Sequence, residues 1–405
     1  MNETHPRLRK DLEFFPVQHR DQHVILVQDH LGLVEKGKAI IPSLSQFLIL
    51  LNGNHSIRDL QMALMRQRGG MLVGIDEVNT LLDHLDEAFL LDSERFRTAR
   101  VKMVEDFTAM RVRPCSHGGV SYPDDPSDLK RKLDEILNSE PQVPKPEGNI
   151  IALVSPHIDL SAGQTVYSSA YQHLRVTAPS RIVILGVGHQ LGNHLFSLTE
   201  KDFKTPFGII KNDPSIIRML RKTGADIVAP DDFAHRSEHS IEFQIIFIQH
   251  ILEAHSPTII PILCGSFQSS LREYSREAFI EEAGPFLDKL RQIIEQPDKD
   301  TLLLAGIDLS HIGPKFGNEM PAKTIEKQSE AHDRNLLQHL IQLDTDCFWK
   351  ESRAVKNQYN VCGFSALACL LEVLPACKGE ILKYGIWHEA PTQSAVSFAA
   401  VLFTT

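Results

Sequence analysis

Ile150-Ile151-Ala152-Leu153-Val154-Ser155-Pro156-His157 is an unbroken apolar run that stops at a proline and delivers a histidine into the following turn. A strand buried on both faces reads this way, because neither side of its pleat meets water. The same signature recurs in Arg181 to Leu185, Thr258 to Leu263 and Thr301 to Ala305. Helical patterns separate these runs, at Gln164 to His173, Pro214 to Thr223, Glu242 to Glu253, Ser269 to Gln296 in two pieces, Ala322 to Gln342 and Gly363 to Leu374. Alternating strands and helices predict an α/β domain over 149–405 with a sheet flanked by helices, and Ser394 to Phe403 reads as an added strand. Ligands of such sheets bind beyond the strand ends.

Chemistry-bearing residues collect at those ends. His157 follows the first run, Gly186-Val187-Gly188-His189 closes the second, and Asp308-Leu309-Ser310-His311 follows the fourth. Asn360-Val361-Cys362-Gly363 opens the last long helix. Two imidazoles and one anionic donor leave coordination positions open, and imidazole suits iron, copper and zinc. Cys362 is the best anionic candidate, because a thiol at a helix N-terminus is expected to have a lowered pKa. In Glu238-His239-Ser240-Ile241-Glu242, Glu238 or Ser240 would cap a helix, and His239 with Glu242 would place imidazole and carboxylate in one pocket. His235, His250 and His255 read as surface or helix-face residues, and Cys369 and Cys377 as packing residues.

A chain of 405 residues with a net charge of −10 has the size for a large α/β domain plus a smaller module. That charge argues against a nucleic-acid surface, whose affinity rests on Lys and Arg. Met1 to Arg20 is polar, without the apolar core of a signal peptide, and no later run reaches the roughly 18 apolar residues of a membrane span, so a cytoplasmic location is expected. The six cysteines contain no CxxC pair and suit reduced thiols.

The N-terminal part divides into a segment 1–21, a module 22–98 and a Pro-rich linker 99–148. In the module, His23 to Val27 and Gly37 to Pro42 read as strands, and Ser43 to Leu51, Ser56 to Arg66 and Ile75 to Phe89 as helices, with Ser56 as N-cap. This pattern predicts a small winged-helix-like α+β domain. Between His55 and Asp92 three basic residues face seven acidic ones, which weakens a DNA reading and leaves peptide or partner docking beside a structural cap on the main domain. The linker holds one helix, Pro126 to Asn138, and its polar, Gly-rich Cys115 and His117 region reads as a mobile loop.

Residues 149 to about 404 resemble the Memo family, called AmmeMemoRadiSam system protein B in prokaryotes. The resemblance rests on seven ordered blocks: Ser-Pro-His-Ile-Asp-Leu (155–160) with Gly163, Leu-Gly-Val-Gly-His (185–189), Thr-Pro-Phe-Gly (205–208), Glu-His-Ser-Ile-Glu (238–242), Pro-Ile-Leu-Cys-Gly (261–265), Asp-Leu-Ser-His (308–311) and Val-Cys-Gly (361–363). It implies a fold like that of LigB-type extradiol dioxygenases, with His157, His189 and Cys362 as metal ligands and Asp308 and His311 lining the pocket, His311 as acid/base. Two departures bear on substrate contacts. Gly188-His189-Gln190 stands for the family's Ser-His-His, and the first histidine precedes Ile-Asp-Leu rather than Ala-Gly-Tyr, so Asp159 would add a carboxylate near the site.

The resemblance implies iron or copper binding and a redox or dioxygenase-like oxidoreductase activity on an unnamed substrate, with His239 orienting the ligand. Its N-terminal module, similar to PqqD-type modules, would dock a peptide, a radical-SAM protein or an AMMECR1-like protein of the same system. Two other readings compete: a metal-responsive binding protein on a retired enzyme fold, and a zinc-dependent hydrolase in which the metal activates water.

Overall fold

Three parallel strands side by side, β5 (Ile150–Ser155), β11 (Thr301–Gly306) and β6 (Arg181–Val187), form the middle of an eight-stranded sheet. In this computed structural model the described residues are 5–19, 22–142, 146–297 and 299–405. The expected linker's Pro144, and Met1 to Thr4 and Arg20 of the polar N-terminus, lie outside them. The chain divides into two compact units, 1–109 and 110–405.

In the first unit, β1 (Leu12–His19), β2 (Gln22–Asp29) and β3 (Ala39–Ile40) form an antiparallel sheet. Four helices follow: α1 (Pro42–Leu50), α2 (Ile57–Gln67), α3 (Ile75–Glu87) and α4 (Glu94–Ala109). Ser56 caps α2 in a reciprocal capping box with Asp59. Leu60, Leu64, Val78, Leu82 and Leu85 recur at helical spacing and fill the core with Phe47 and Leu91. The described part of the segment 1–21 is built into this unit. Leu12–His19 is strand β1, and the buried Arg9 guanidinium pairs with Asp29 at 2.7 Å and donates to the Phe89 carbonyl. The boundary expected at 98/99 falls inside α4, whose Phe96 and Phe107 are buried.

The expected linker is also corrected from residue 110 on, because most of it is built into the second unit. β4 (Val112–Arg113) pairs with β8 (Asp202–Thr205), which pairs with β9 (Gly208–Ile210). α5 (Pro126–Leu137), capped by Asp125, buries Leu129, Leu133 and Ile136 against the main core. Its neighbours α6 (Gln164–Tyr171) and α8 (His239–Ile251) cover the same sheet face. β7 (Phe196–Leu198) and α7 (Pro214–Thr223) precede α8 in the chain; β10 (Thr258–Cys264), α9 (Phe267–Ser270) and α10 (Arg276–Ile294) follow it. After β11 come β12 (His311–Ile312), α11 (Ala322–Ile341), α12 (Thr345–Ala354), α13 (Phe364–Val373), β13 (Lys378–Glu389) and β14 (Ser394–Thr404).

The main path of the sheet runs β12-β14-β5-β11-β6-β10-β7, with β13 paired to β14. β14 runs antiparallel to β5, so the sheet is mixed. Alternate residues of β6 enter opposite cores: Val183 and Leu185 pack with α10 and α13 residues, Ile182 and Ile184 with α6 and α8 residues. Both faces are covered, which is why the central strands are apolar throughout.

Candidate metal centre

Because β5, β11 and β6 are adjacent and parallel, the residues after their carboxyl ends meet. His157 emerges from β5, Asp308 and His311 follow β11, and His189 follows β6. Cys362 arrives separately, held where the Asp308 carbonyl accepts from Gly363 N–H at 3.0 Å and lies 3.5 Å from Cys362 Sγ. A Cβ at Gly363 would come within 2.5 Å of that carbonyl, so only glycine permits this approach.

Each imidazole is tied at one nitrogen. His157 Nδ1 lies 3.0 Å from the Gly306 carbonyl, which assigns the proton to Nδ1 and the lone pair to Nε2. That Nε2 is 3.6 Å from Cys362 Sγ and 3.6 Å from Asp308 Oδ2. His189 Nδ1 meets both Glu238 carboxylate oxygens at 3.0 and 3.1 Å. His311 Nδ1 faces the Leu309 carbonyl at 2.9 Å. Metal-binding histidines characteristically give their second nitrogen to a carbonyl or carboxylate, which fixes tautomer and orientation. The donor atoms of His157, His189 and His239 lie within 4.8 Å of one another.

Gln244, in the interior of α8, donates to the Pro156 carbonyl at 3.0 Å and fixes the backbone just before His157. Tyr171 Oη donates to the other end of that amide at 2.5 Å. At Gly306, a Cβ would fall 2.5 Å from the Ser240 carbonyl and 2.6 Å from Gln244 Nε2, so α8 packs against bare backbone there.

Burial lowers the His157 pKa to about 4, with His189 adding to the effect, so the imidazole is neutral and has a donor lone pair. Burial raises the Asp308 carboxyl to about 6, against His311 and the amides of His157 and Ile158. Burial also lowers His311 to about 4, opposed by Asp308. For His189, burial acts downward, but the Glu238 carboxylate and Cys362 raise its pKa. The thiol behaves contrary to the helix-terminus expectation: burial pushes Cys362 up, outweighing the hydrogen bond from His189. Cys362 also precedes the N-cap, Gly363, rather than occupying the first turn.

Several expectations change. Glu242 does not share the pocket of His239; it is fully buried and paired with Arg113. The carboxylate beside His239 is Glu238, at 3.3 Å, which also caps α8. Ser240 instead bonds both backbone groups of Val187 at 3.0 Å. Asp159 is exposed and accepts from Ser161 and Ala162 N–H, so it shapes a turn. His235, expected as a surface or helix-face residue, is 1 % exposed.

The Cys115 and His117 region is fastened rather than mobile. Glu242 accepts from Tyr122 Oη, from Ser116 Oγ at 2.8 Å and from His117 N–H at 2.9 Å. Arg113 donates to the His235 and Glu238 carbonyls at 2.6 and 2.8 Å. This segment is the part of the site surroundings that sequence reasoning missed, along with the orienting role of Glu238. No local pattern signalled it, because Tyr122 meets Glu242 120 residues away.

The donor set suits a transition metal: two or three imidazoles and one thiol, with no cluster of hard oxygen donors. A profile described as Memo-like protein matches residues 113–402. A MEMO1 family protein of Aquifex aeolicus is 29 % identical over 401 residues, covering 98 % of this chain and 100 % of the relative, and so runs through both units. A MEMO1 family protein of Thermus thermophilus is 28 % identical, covering 82 % and 94 %, and one of Methanopyrus kandleri is 26 % identical, covering 70 % and 96 %. With the greater part of its length matched, the chain belongs to the Memo-like family.

Proposed function

We propose that this Memo-family protein binds iron or copper through His157, His189 and Cys362 and acts as a redox or dioxygenase-like oxidoreductase. The observation that carries the proposal is the preset donor geometry: His157 and His189 are tied at Nδ1, and Cys362 Sγ lies 3.6 Å from His157 Nε2. A bound metal would supply Lewis acidity or electron transfer. The protein's own groups would do the rest. Gly306 and Glu238 orient the imidazoles. Asp308, with its carboxyl raised to about 6, can hold or release a proton near neutrality. His311, neutral and tied at Nδ1, has Nε2 left to accept a proton from a bound molecule. The N-terminal unit would dock a peptide or partner, a reading supported by exposed Leu72, Met71, Ile49 and Ile41.

The test is metal content after reconstitution with Fe2+ or Cu+. His157→Ala, His189→Ala and Cys362→Ser each lose the metal while remaining folded, and His311→Ala keeps it. Full stoichiometry in the first three would remove the proposed ligand set.

A further inference from the structure

Besides His311, four imidazoles lie together at this end of the sheet, and the proposed ligand set uses only two of them. The ring centres of His157, His189 and His239 form a near-equilateral triangle with sides of 5.2, 5.0 and 5.1 Å. His117 packs behind His239 at 5.6 Å, with its Nε2 3.0 Å from the Ser237 carbonyl. Phe243 meets the His239 ring edge-on at 5.3 Å. His239 is thus walled in on two sides, while its donor atom lies within 4.8 Å of those of His157 and His189.

Glu238 supplies a second, independent observation. Its carboxylate, buried to 5 % exposure, accepts from the backbone N–H of His189, His239 and Ser240 at 3.2, 2.9 and 2.9 Å. Held in that way it cannot rotate freely, and it offers Oε1 to His189 Nδ1 at 3.1 Å and to His239 Nδ1 at 3.3 Å. One fixed carboxylate therefore orients the His189 ring through its Nδ1 and lies beside Nδ1 of the stacked His239 ring, leaving Nε2 of His189 as its metal-facing nitrogen.

Building on the His157, His189 and Cys362 reading, we infer that His239 is a third imidazole donor to the same metal, with Glu238 as the positioning residue for His189 and His239 together. Three imidazoles and one cysteine sulfur, once bound to a metal, select a borderline or soft ion over Mg2+ or Ca2+. A fourth protein donor would also narrow the open coordination available to a substrate, compared with a three-ligand site.

The experiment is Co2+ titration of the full-length protein, followed by absorption, with thermal unfolding to check that each variant is folded. The parent protein binds one Co2+ and shows a sulfur-to-cobalt charge-transfer band, which Cys362→Ser removes. His239→Ala keeps that band, shifts the ligand-field bands and binds Co2+ about tenfold or more weakly, and added imidazole restores affinity. Glu238→Gln weakens binding by about 10–100-fold with the band retained. Should His239→Ala fail to fold, His239→Gln gives the same readout. Parent-like affinity and ligand-field bands in the His239 variants overturn the inference and leave the two-histidine reading standing. Absence of Co2+ binding in the parent overturns both. A charge-transfer band surviving in Cys362→Ser overturns the thiolate assignment alone, with His239 still judged by its own variants.

Discussion

Arg113→Met is the perturbation that most sharply tests how the second unit holds its site in place. Arg113 and Glu242 are both fully buried and form an ion pair. The guanidinium also donates to the His235, Pro114 and Glu238 carbonyls and to Ser116 Oγ. Methionine preserves length and apolar volume but leaves the Glu242 charge without its cation. Breaking a buried pair in this way typically costs about 3–5 kcal/mol. The pKa leads to a similar figure: burial pushes Glu242 up, yet Arg113 and Tyr122 hold its carboxyl at about 2 instead of 4.5. That difference is equivalent to about 3 kcal/mol. Because the folded pKa is depressed, this stabilisation is present above about pH 4.5 and is lost as pH falls toward 2. Urea unfolding at pH 7 should therefore show Arg113→Met less stable by about 3–5 kcal/mol, with the gap narrowing below pH 4. Adding Glu242→Gln removes the orphaned charge but keeps an acceptor for Ser116, His117 and Tyr122, and should recover part of the loss. An Arg113→Met protein within about 1 kcal/mol of the parent at pH 7, or a double variant no better than the single, would refute the reasoning.

Two further substitutions probe the frame around the site. Gly306→Ala drives a methyl into the Ser240 carbonyl and Gln244, so it should destabilise by about 1–3 kcal/mol in urea unfolding. It should also weaken metal binding, because Gly306 holds His157 Nδ1. Phe247→Ala empties the stack in which Phe247 lies 4.3 Å from Tyr171 and 5.1 Å from Tyr167, and should cost about 3–5 kcal/mol with no change in the order of metal preference.

The central strands were legible because burial on both faces writes itself as an unbroken apolar run, as in Ile182 to Leu185 and Leu302 to Ala305. Pairing order was not. Nothing local states that β11 inserts between β5 and β6, although this neighbour relation is what gathers His157, Asp308 and His189. Among the elements missed by pattern, β7 to β9 are short and β13 is half-buried, its mixed Lys378–Glu389 sequence packing on β14. The region around Cys115 looked mobile because its polar groups have partners far along the chain: Arg113 and His117 are satisfied at residues 235–242. Helix α8 misled in the opposite sense. Its residues are buried all round, so Glu242 and Gln244 are interior groups with fixed partners rather than a polar face. The Cys362 thiol shows the same limit, since its helix position was readable but the burial that raises its pKa was not.

Among the described residues no helix is long and apolar enough to cross a membrane, which agrees with the absence of a long apolar run in the sequence.

The most direct measurement is an anomalous difference map from a crystal equilibrated anaerobically with Fe2+ or Cu+, recorded at the metal absorption edge. One strong peak is expected, bounded by His157 Nε2, His189 and Cys362 Sγ and absent from Cys362→Ser crystals. A peak elsewhere in the molecule, or none at that position after saturation, would contradict the proposed ligand set.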